Sequence, residues 1–425
     1  MCKKYSSIIL FSVLTYSNLS YAGGPSILEG PGGNTPVTYQ NPAITLHVED
    51  GTLGTLSNTD ANIFINEAFS LWNNVNTSTI NLTIDTALIN TDINISNFES
   101  YIPDVDGTVF HSDDNLNPVV YDNNGEIIDA YFGIGASEDI IGFAASIYTF
   151  GSSYFDEGYA VINGKDLGLT NTTFKLLIAH EIGHFFGLDH TQVNIDNQET
   201  YPGFPRFCST SNLENYPLMY PFVCRDVESL HADDVSAVSA LYPETNINDN
   251  FGILEGRFLD QSGNPVLGAN IWVENTVTGE TYSVISDYLK QGTGYYKLYL
   301  PAGTYTLHAN SINPEFNGGS GIGPYSSTIL DISFIEPHPI SPVTYQDETT
   351  GNDVLITISL NQTMDISFSC IDCFAPLPAV SSSDEDDSFA DLFGATSHVT
   401  LALLFSLLMT ARRISPRSNH GNSNN

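Results

Sequence analysis

Positive charge is what this chain has least of. Its 425 residues carry 12 Lys and Arg against 49 Asp and Glu, a formal net charge of −37. A surface of that sign repels phosphates, so nucleic acid is excluded as a partner. The acidic, Asn-rich balance fits an exported protein or one that meets divalent cations, and composition alone does not choose between them. Cysteine is also scarce, at 5, and methionine scarcer, at 4. The few cysteines rule out a small disulfide-built scaffold; the hydrophobic fraction of 41% provides for an ordinary core. The length suggests two domains with extra segments.

Long apolar runs are confined to the two ends. Residues 1–22, "MCKKYSSIILFSVLTYSNLSYA", place Lys3 and Lys4 before an apolar run and small residues at Ser20 and Ala22. That is the pattern of a secretory signal peptide cut after Ala22. The run is too short for a membrane span, and Cys2 lies in the charged part, far from the cleavage point. Removing the leader leaves Cys208, Cys224, Cys370 and Cys373, an even number for an oxidising compartment. At the other end, an acidic low-complexity linker (residues 369–396, with "SSSDEDDS") precedes an apolar segment (397–413) closed by Arg412 and Arg413. The basic end fits a cytoplasmic side. The segment resembles the C-terminal sorting tails of exported bacterial proteins, which implies a sorting peptidase as partner; the alternative is a single-span anchor. Both place the protein outside the cell, secreted or at the surface.

Between the ends, the pattern changes once. Residues 23–246 mix helical and strand periodicities. "NTDANIFINEAFSLWNNV" (Asn58–Val75) reads as an amphipathic helix after the alternating strand "PAITLHVED". A second helix is expected from about Asn171 to Phe186, capped by Asn171 or Thr172. "ADDVSAVSALY" reads as a third, with Asp233 and Asp234 in its first turn, where the helix dipole favours anions. After "PETNINDN", residues 251–368 read as short strands separated by Gly, Pro and Asn, the pattern of a small β-sandwich.

The chemistry is concentrated in "AHEIGHFFGLDH" (Ala179–His190). His180 and His184 are one helical turn apart, so both leave the same face and can share one zinc ion. Glu181 is rotated away from that axis and can reach a zinc-activated water as a general base. A straight helix cannot bring a third ligand as close. Gly187 accepts the left-handed conformation that ends a helix, and the chain can then return His190. Three histidines leave one coordination position open, as catalytic zinc sites do. HExxH alone arises by chance in about 1% of chains this size, and adding Gly187 and His190 reduces that to roughly one in 10⁵.

"HEIGHFFGLDH" resembles the HExxHxxGxxH zinc signature of the metzincin metallopeptidases, most closely the matrixin branch. The resemblance implies an α+β catalytic domain, with a twisted mixed sheet and three main helices, followed here by a small all-β sandwich. It implies a zinc endopeptidase with protein or peptide substrates, with His180, His184 and His190 as zinc ligands and Glu181 as the catalytic base. It also implies a Met-turn beneath the metal. Met364 lies in the β zone and Met409 in the tail, which leaves Met219, in "YPLMYPF". "DIIGFAASIY" (Asp139–Tyr148) resembles the edge strand that pairs with extended substrate. The sequence departs from the family at Thr191, where matrixins carry serine, and it shows no cysteine switch. Residues 251–368 resemble the carboxypeptidase regulatory-like domain, through "EGRFLDQSGNPVLGANIWVENTVTGE" and "GTGYYKLYLPAGTYTLHA", which implies an accessory module without chemistry. The rival reading is a surface adhesin on an inactive metzincin scaffold.

Weaker signals remain. "YDNNGEIID" sets Asp122, Asn124, Glu126 and Asp129 around Gly125; these oxygen ligands suit Ca²⁺, and the alternative is an Asn-Gly hairpin turn needing no metal. Cys208 and Cys224 flank the Met219 segment, and a disulfide between them would close a loop worth on the order of 3 kcal/mol. Cys370 and Cys373 lack the βαβ context of a redox motif, so a local disulfide or a processing-region role is expected. His111 and Asp113 could contribute to a second metal site, against the plainer reading of surface side chains.

Overall fold

The computed structural model describes residues 24–29, 35–103, 115–138, 140–149, 151–165, 168–192, 213–220, 224–266, 268–286, 293–311, 340, 342–347 and 349–370. The leader, His111, Asp113, Cys208, Cys373, nearly all of the acidic linker and the apolar 397–413 segment lie outside them. Among the described residues no helix is long and apolar enough to cross a membrane.

Near the start, β1 (Leu28–Glu29) and β2 (Thr35–Pro36) form a short antiparallel ribbon. β3 (Ala43–Val48) then leads to helix α1 (Asn58–Asn73), which ends slightly earlier than the periodicity suggests. Ser57 caps α1 by accepting from the Asp60 amide, and Ala61, Ile65, Ala68, Phe69 and Trp72 form its buried stripe. Next come β4 (Asn81–Asp85), β5 (Pro118–Asp122), the short helix α2 (Glu126–Phe132), β6 (Gly142–Ile147) and β7 (Glu157–Asn163). The five strands from β3 to β7 make one sheet in the order β4-β3-β5-β7-β6. All pairs are parallel except β6 with β7. Every residue of β5 and β7 is buried, as expected of strands covered on both faces. Val119, Tyr121, Ala160 and Ile162 face the core under α1, while Val120, Tyr159 and Val161 join a second core with α2.

Helix α3 (Asn171–Phe185) carries the histidine motif. Its cap is Thr170, whose hydroxyl accepts from the Thr173 amide, rather than Asn171 or Thr172. The Trp72 indole donates to the carbonyl of Ala179 at 2.9 Å, tying α1 to α3 above the sheet. Helix α4 (Ala232–Leu241) closes this unit.

The remainder is β-structure: β8 (Gly252–Asp260), β9 (Ala269–Asn275), β10 (Thr281–Ile285), β11 (Tyr295–Leu300), β12 (Gly303–Ser311), β13 (Val343–Thr344), β14 (Ile356–Ile358), β15 (Thr363–Asp365) and β16 (Phe368–Cys370). One sheet runs β10-β9-β12-β13 with β14 on β12; the other runs β11-β8-β15 with β16 on β8. Leu254, Phe258, Ile271, Val273, Tyr296, Leu298 and Leu307 from the two sheets share one core, which makes the module a sandwich. It is packed against the first unit: Ala240 of α4 is buried with Phe251 and Tyr299.

The "YDNNG" stretch forms no hairpin; it leads from β5 into α2. Gly125, at φ 82°, is the residue before α2, and the Asp122 carboxylate accepts from the Ile128 amide at 2.9 Å. Asp129 accepts from the Ser137 amide at 2.8 Å, and the Asn124 side chain accepts from the Glu126 amide. The Asp122, Asp129 and Asn124 oxygens thus accept from backbone amides around the start of α2.

Candidate metal centre

Helix α3 presents His180 and His184 on one face, and the turn at Gly187 (φ 100°) returns His190 to them. The turn is closed by bonds from the Gly187 amide to the His184 carbonyl, 3.0 Å, and from the Leu188 amide to the Gly183 carbonyl, 2.9 Å. The N-terminal residues brace its outer side: the Ser26 amide donates to Gly187 and the Asp189 amide to Gly24. A Cβ at position 187 would press on the Phe155 ring, so glycine is required here for both space and φ.

The three Nε2 atoms lie 3.1 Å (His184 to His180), 3.0 Å (His184 to His190) and 3.3 Å (His190 to His180) apart. Four nitrogens at about 2.0–2.1 Å from a tetrahedral zinc would stand about 3.3 Å from one another. The other ring nitrogens fix the tautomers. His180 Nδ1 donates to the Leu218 carbonyl at 2.7 Å, and His184 Nδ1 to the Leu188 carbonyl at 2.9 Å. Both Nε2 atoms are thereby left as lone-pair donors aimed at a common point. Lone pairs converging in this way repel one another without a cation, so the donor set fits zinc. Burial holds His180 down to about 3 and His184 to about 4, and it also lowers His190 well below its usual value. All three are therefore neutral, the form that binds metal. His184 and His190 keep part of their surface open, which gives the site access from one side.

Glu181 lies beside the triad and is 9% exposed. Burial pushes its carboxyl up to about 8. A Cβ on Gly142, at the start of β6, would come within 3.2 Å of the Glu181 side chain, so the missing side chain makes room for the acid. β6 is the outer strand of its sheet, as the sequence suggests.

Met219 is 1% exposed and lies beneath α3. A Cβ on Gly183, between the two helical histidines, would overlap the Met219 sulfur. One carboxylate shapes this turn: Asp234 accepts from the amides of Leu218 (2.7 Å) and Met219 (3.0 Å). Asp234 also accepts from the His231 amide at the start of α4. Arg225 braces the far side through the carbonyls of Tyr216 and Ser229. Tyr220 is buried against Tyr216, with ring centres 5.2 Å apart.

The structure thus brings His180, His184, His190, Glu181 and Met219 together. Asp234 and the Leu218 carbonyl are the parts the sequence did not reveal. The Asp pair was visible, but only as a helix-dipole feature. Cys224 and Cys370 are each disulfide-bonded. The expected Cys208–Cys224 pairing reaches outside the described residues.

No protein-family model and no curated protein matches the chain. Among solved structures, the major pilin subunit BcpA of Bacillus cereus is 17% identical, covering 28% of this chain and 29% of that one, with a TM-score of 0.16. The minor pilin GBS52 of Streptococcus agalactiae is 12% identical over 31% of this chain and 48% of its own, with a TM-score of 0.16. A 5-hydroxyisourate hydrolase of Klebsiella pneumoniae is 17% identical over 28% and 84%, with a TM-score of 0.15. The chain spans less than half of either pilin, and likenesses of this size carry no conclusion about it. What the geometry itself provides is a three-histidine centre able to hold a metal ion, set in a mixed α/β unit and followed by a two-sheet β module.

Proposed function

We propose that this chain is an exported zinc endopeptidase of the metzincin type, closest to the matrixins, that hydrolyses peptide bonds in proteins. The observation that carries the reading is the convergence of three neutral Nε2 atoms beside a buried carboxyl. His180, His184 and His190 would hold the ion, which supplies Lewis acidity at the scissile carbonyl. Glu181 takes the proton of the attacking water and passes it to the leaving amine. Its burial beside the three imidazoles keeps the carboxyl within the closed part of the site, where it can exchange a proton with the water. β6, as an edge, offers unpaired backbone groups to an extended peptide, and strand addition would orient the substrate across the cleft. Met219 packs against Gly183 and sets the height of α3 over the turn. The signal peptide and the C-terminal tail, with its sorting peptidase, belong to the same proposal and place the enzyme outside the cell.

The test is metal analysis of the purified mature chain together with cleavage of casein or a quenched peptide by wild type and Glu181→Gln. The expected result is bound zinc in both and a loss of roughly 10²–10⁴-fold in cleavage for the variant. Equal cleavage by the two proteins would refute the mechanism, and a folded chain without affinity for zinc would refute the site.

A further inference from the structure

We infer that Thr191 and Ser283 are positioning residues for His190, so that the β module completes the metal centre instead of being an appendage to it. The inference rests on the zinc-site reading above and extends it to residues in the other half of the chain.

His190 is the ligand that no helix holds. Its place depends on the residues either side of it. Upstream, its amide donates to the Asp189 carboxylate at 2.7 Å. Downstream, Thr191 is fixed at two points. Its amide donates to the Met219 carbonyl at 3.0 Å. Its hydroxyl lies 2.9 Å from Ser283 Oγ of β10, so the two hydroxyls share one hydrogen bond. Ser283 is held in turn, because its amide donates to Asp233 Oδ1 at 2.8 Å.

These three side chains are buried together. Thr191 is 2% exposed, Ser283 1% and Asp233 1%. At this depth, removing one hydroxyl leaves its partner's hydrogen-bonding group buried and unsatisfied. The next residue along is tied to the module as well: the Gln192 carbonyl accepts from Asn270 of β9 at 3.4 Å. A module that merely travelled with the first unit would meet it through solvated side chains far from the ligands. Here the residue after a ligand shares its hydroxyl with β10. Groups that orient metal ligands from outside the coordination sphere typically change metal affinity 10–100-fold when removed.

The experiment uses the full mature chain and measures the zinc dissociation constant by competition with a chelator, alongside the melting temperature of the zinc-free protein. Thr191→Val keeps the shape and deletes the hydroxyl; it should weaken zinc by about 10–100-fold. Ser283→Ala should weaken it in the same direction, and Thr191→Ser, which restores the hydroxyl, should bind within roughly twofold of wild type. Ser236→Ala is the control. It removes another bond across the same interface, from Ser236 Oγ to the Tyr299 carbonyl at 2.7 Å, without touching Thr191. It should leave zinc affinity unchanged. Unchanged affinity in both Thr191→Val and Ser283→Ala, with or without a fall in melting temperature, overturns the inference. So does an equal loss of affinity in Ser236→Ala, which would signal general loosening. A wild-type chain that binds no zinc overturns the functional reading itself and this inference with it.

Discussion

His184 in the first unit and His308 in the β module are both partly buried, and burial pushes each down to about 4. The two differ in what their ring nitrogens meet. His308 bonds the Thr344 hydroxyl through Nδ1 at 3.0 Å and the Thr306 hydroxyl through Nε2 at 2.7 Å, and its ring stacks on Trp272. Both of its nitrogens are served, so the ring is cross-strand packing. His184 has one nitrogen on a backbone carbonyl and the other turned toward two more imidazoles. The pKa shift is the same in both places, so it does not identify a site; the partners do.

The sharpest way to break this contrast is to remove each ring in turn. His184→Ala should weaken zinc by more than the roughly 100-fold typical of an outer partner, as read by chelator competition. His308→Ala should leave zinc affinity at the wild-type level while lowering the melting temperature. Zinc loss in the second variant would show that the two histidines are not different in kind. A smaller effect is expected at Gly183. Glycine to alanine normally favours a helix, but here the new methyl would meet the Met219 sulfur and stand 3.2 Å from the Trp72 ring. Gly183→Ala should therefore destabilise by about 1–3 kcal/mol, and a denaturant melt showing stabilisation would contradict the packing described for α3. The smallest effect concerns acid. The folded-state pKa of His308 is depressed to about 4 against an ordinary 6.5, so the fold favours its neutral form. That contribution is complete above about pH 6.5 and is lost as pH falls toward 4. His308→Asn, which cannot titrate, should flatten part of the zinc-free chain's stability loss across that window, and an unaltered pH slope would remove His308 from the acid response.

The three-histidine cluster was legible in the sequence because its geometry is local. A helical turn fixes His180 against His184, and a glycine fixes the return of His190. Met219 was reached by resemblance to a family. What escaped was set by contacts distant along the chain. Asp234 reads as an ordinary first-turn acid until Leu218 and Met219 are brought to it. Helix α2 was missed because Asn124–Gly125 reads equally well as a hairpin; its cap comes from Asp122, at the end of the preceding strand. The β module was read as separable because periodicity reports strands and says nothing about what their outer faces cover. The bonds from Ser283 and Asn270 to the histidine segment have no signature in either stretch.

Asp234 carries a consequence for the order in which the protein is made. A polypeptide synthesised N-terminus first has all three histidines before it has the carboxylate that folds the methionine turn beneath them. The carbonyl that orients His180 belongs to that turn. A nascent chain therefore holds the histidines without their support, and the cluster assembles only after α4 has emerged and docked.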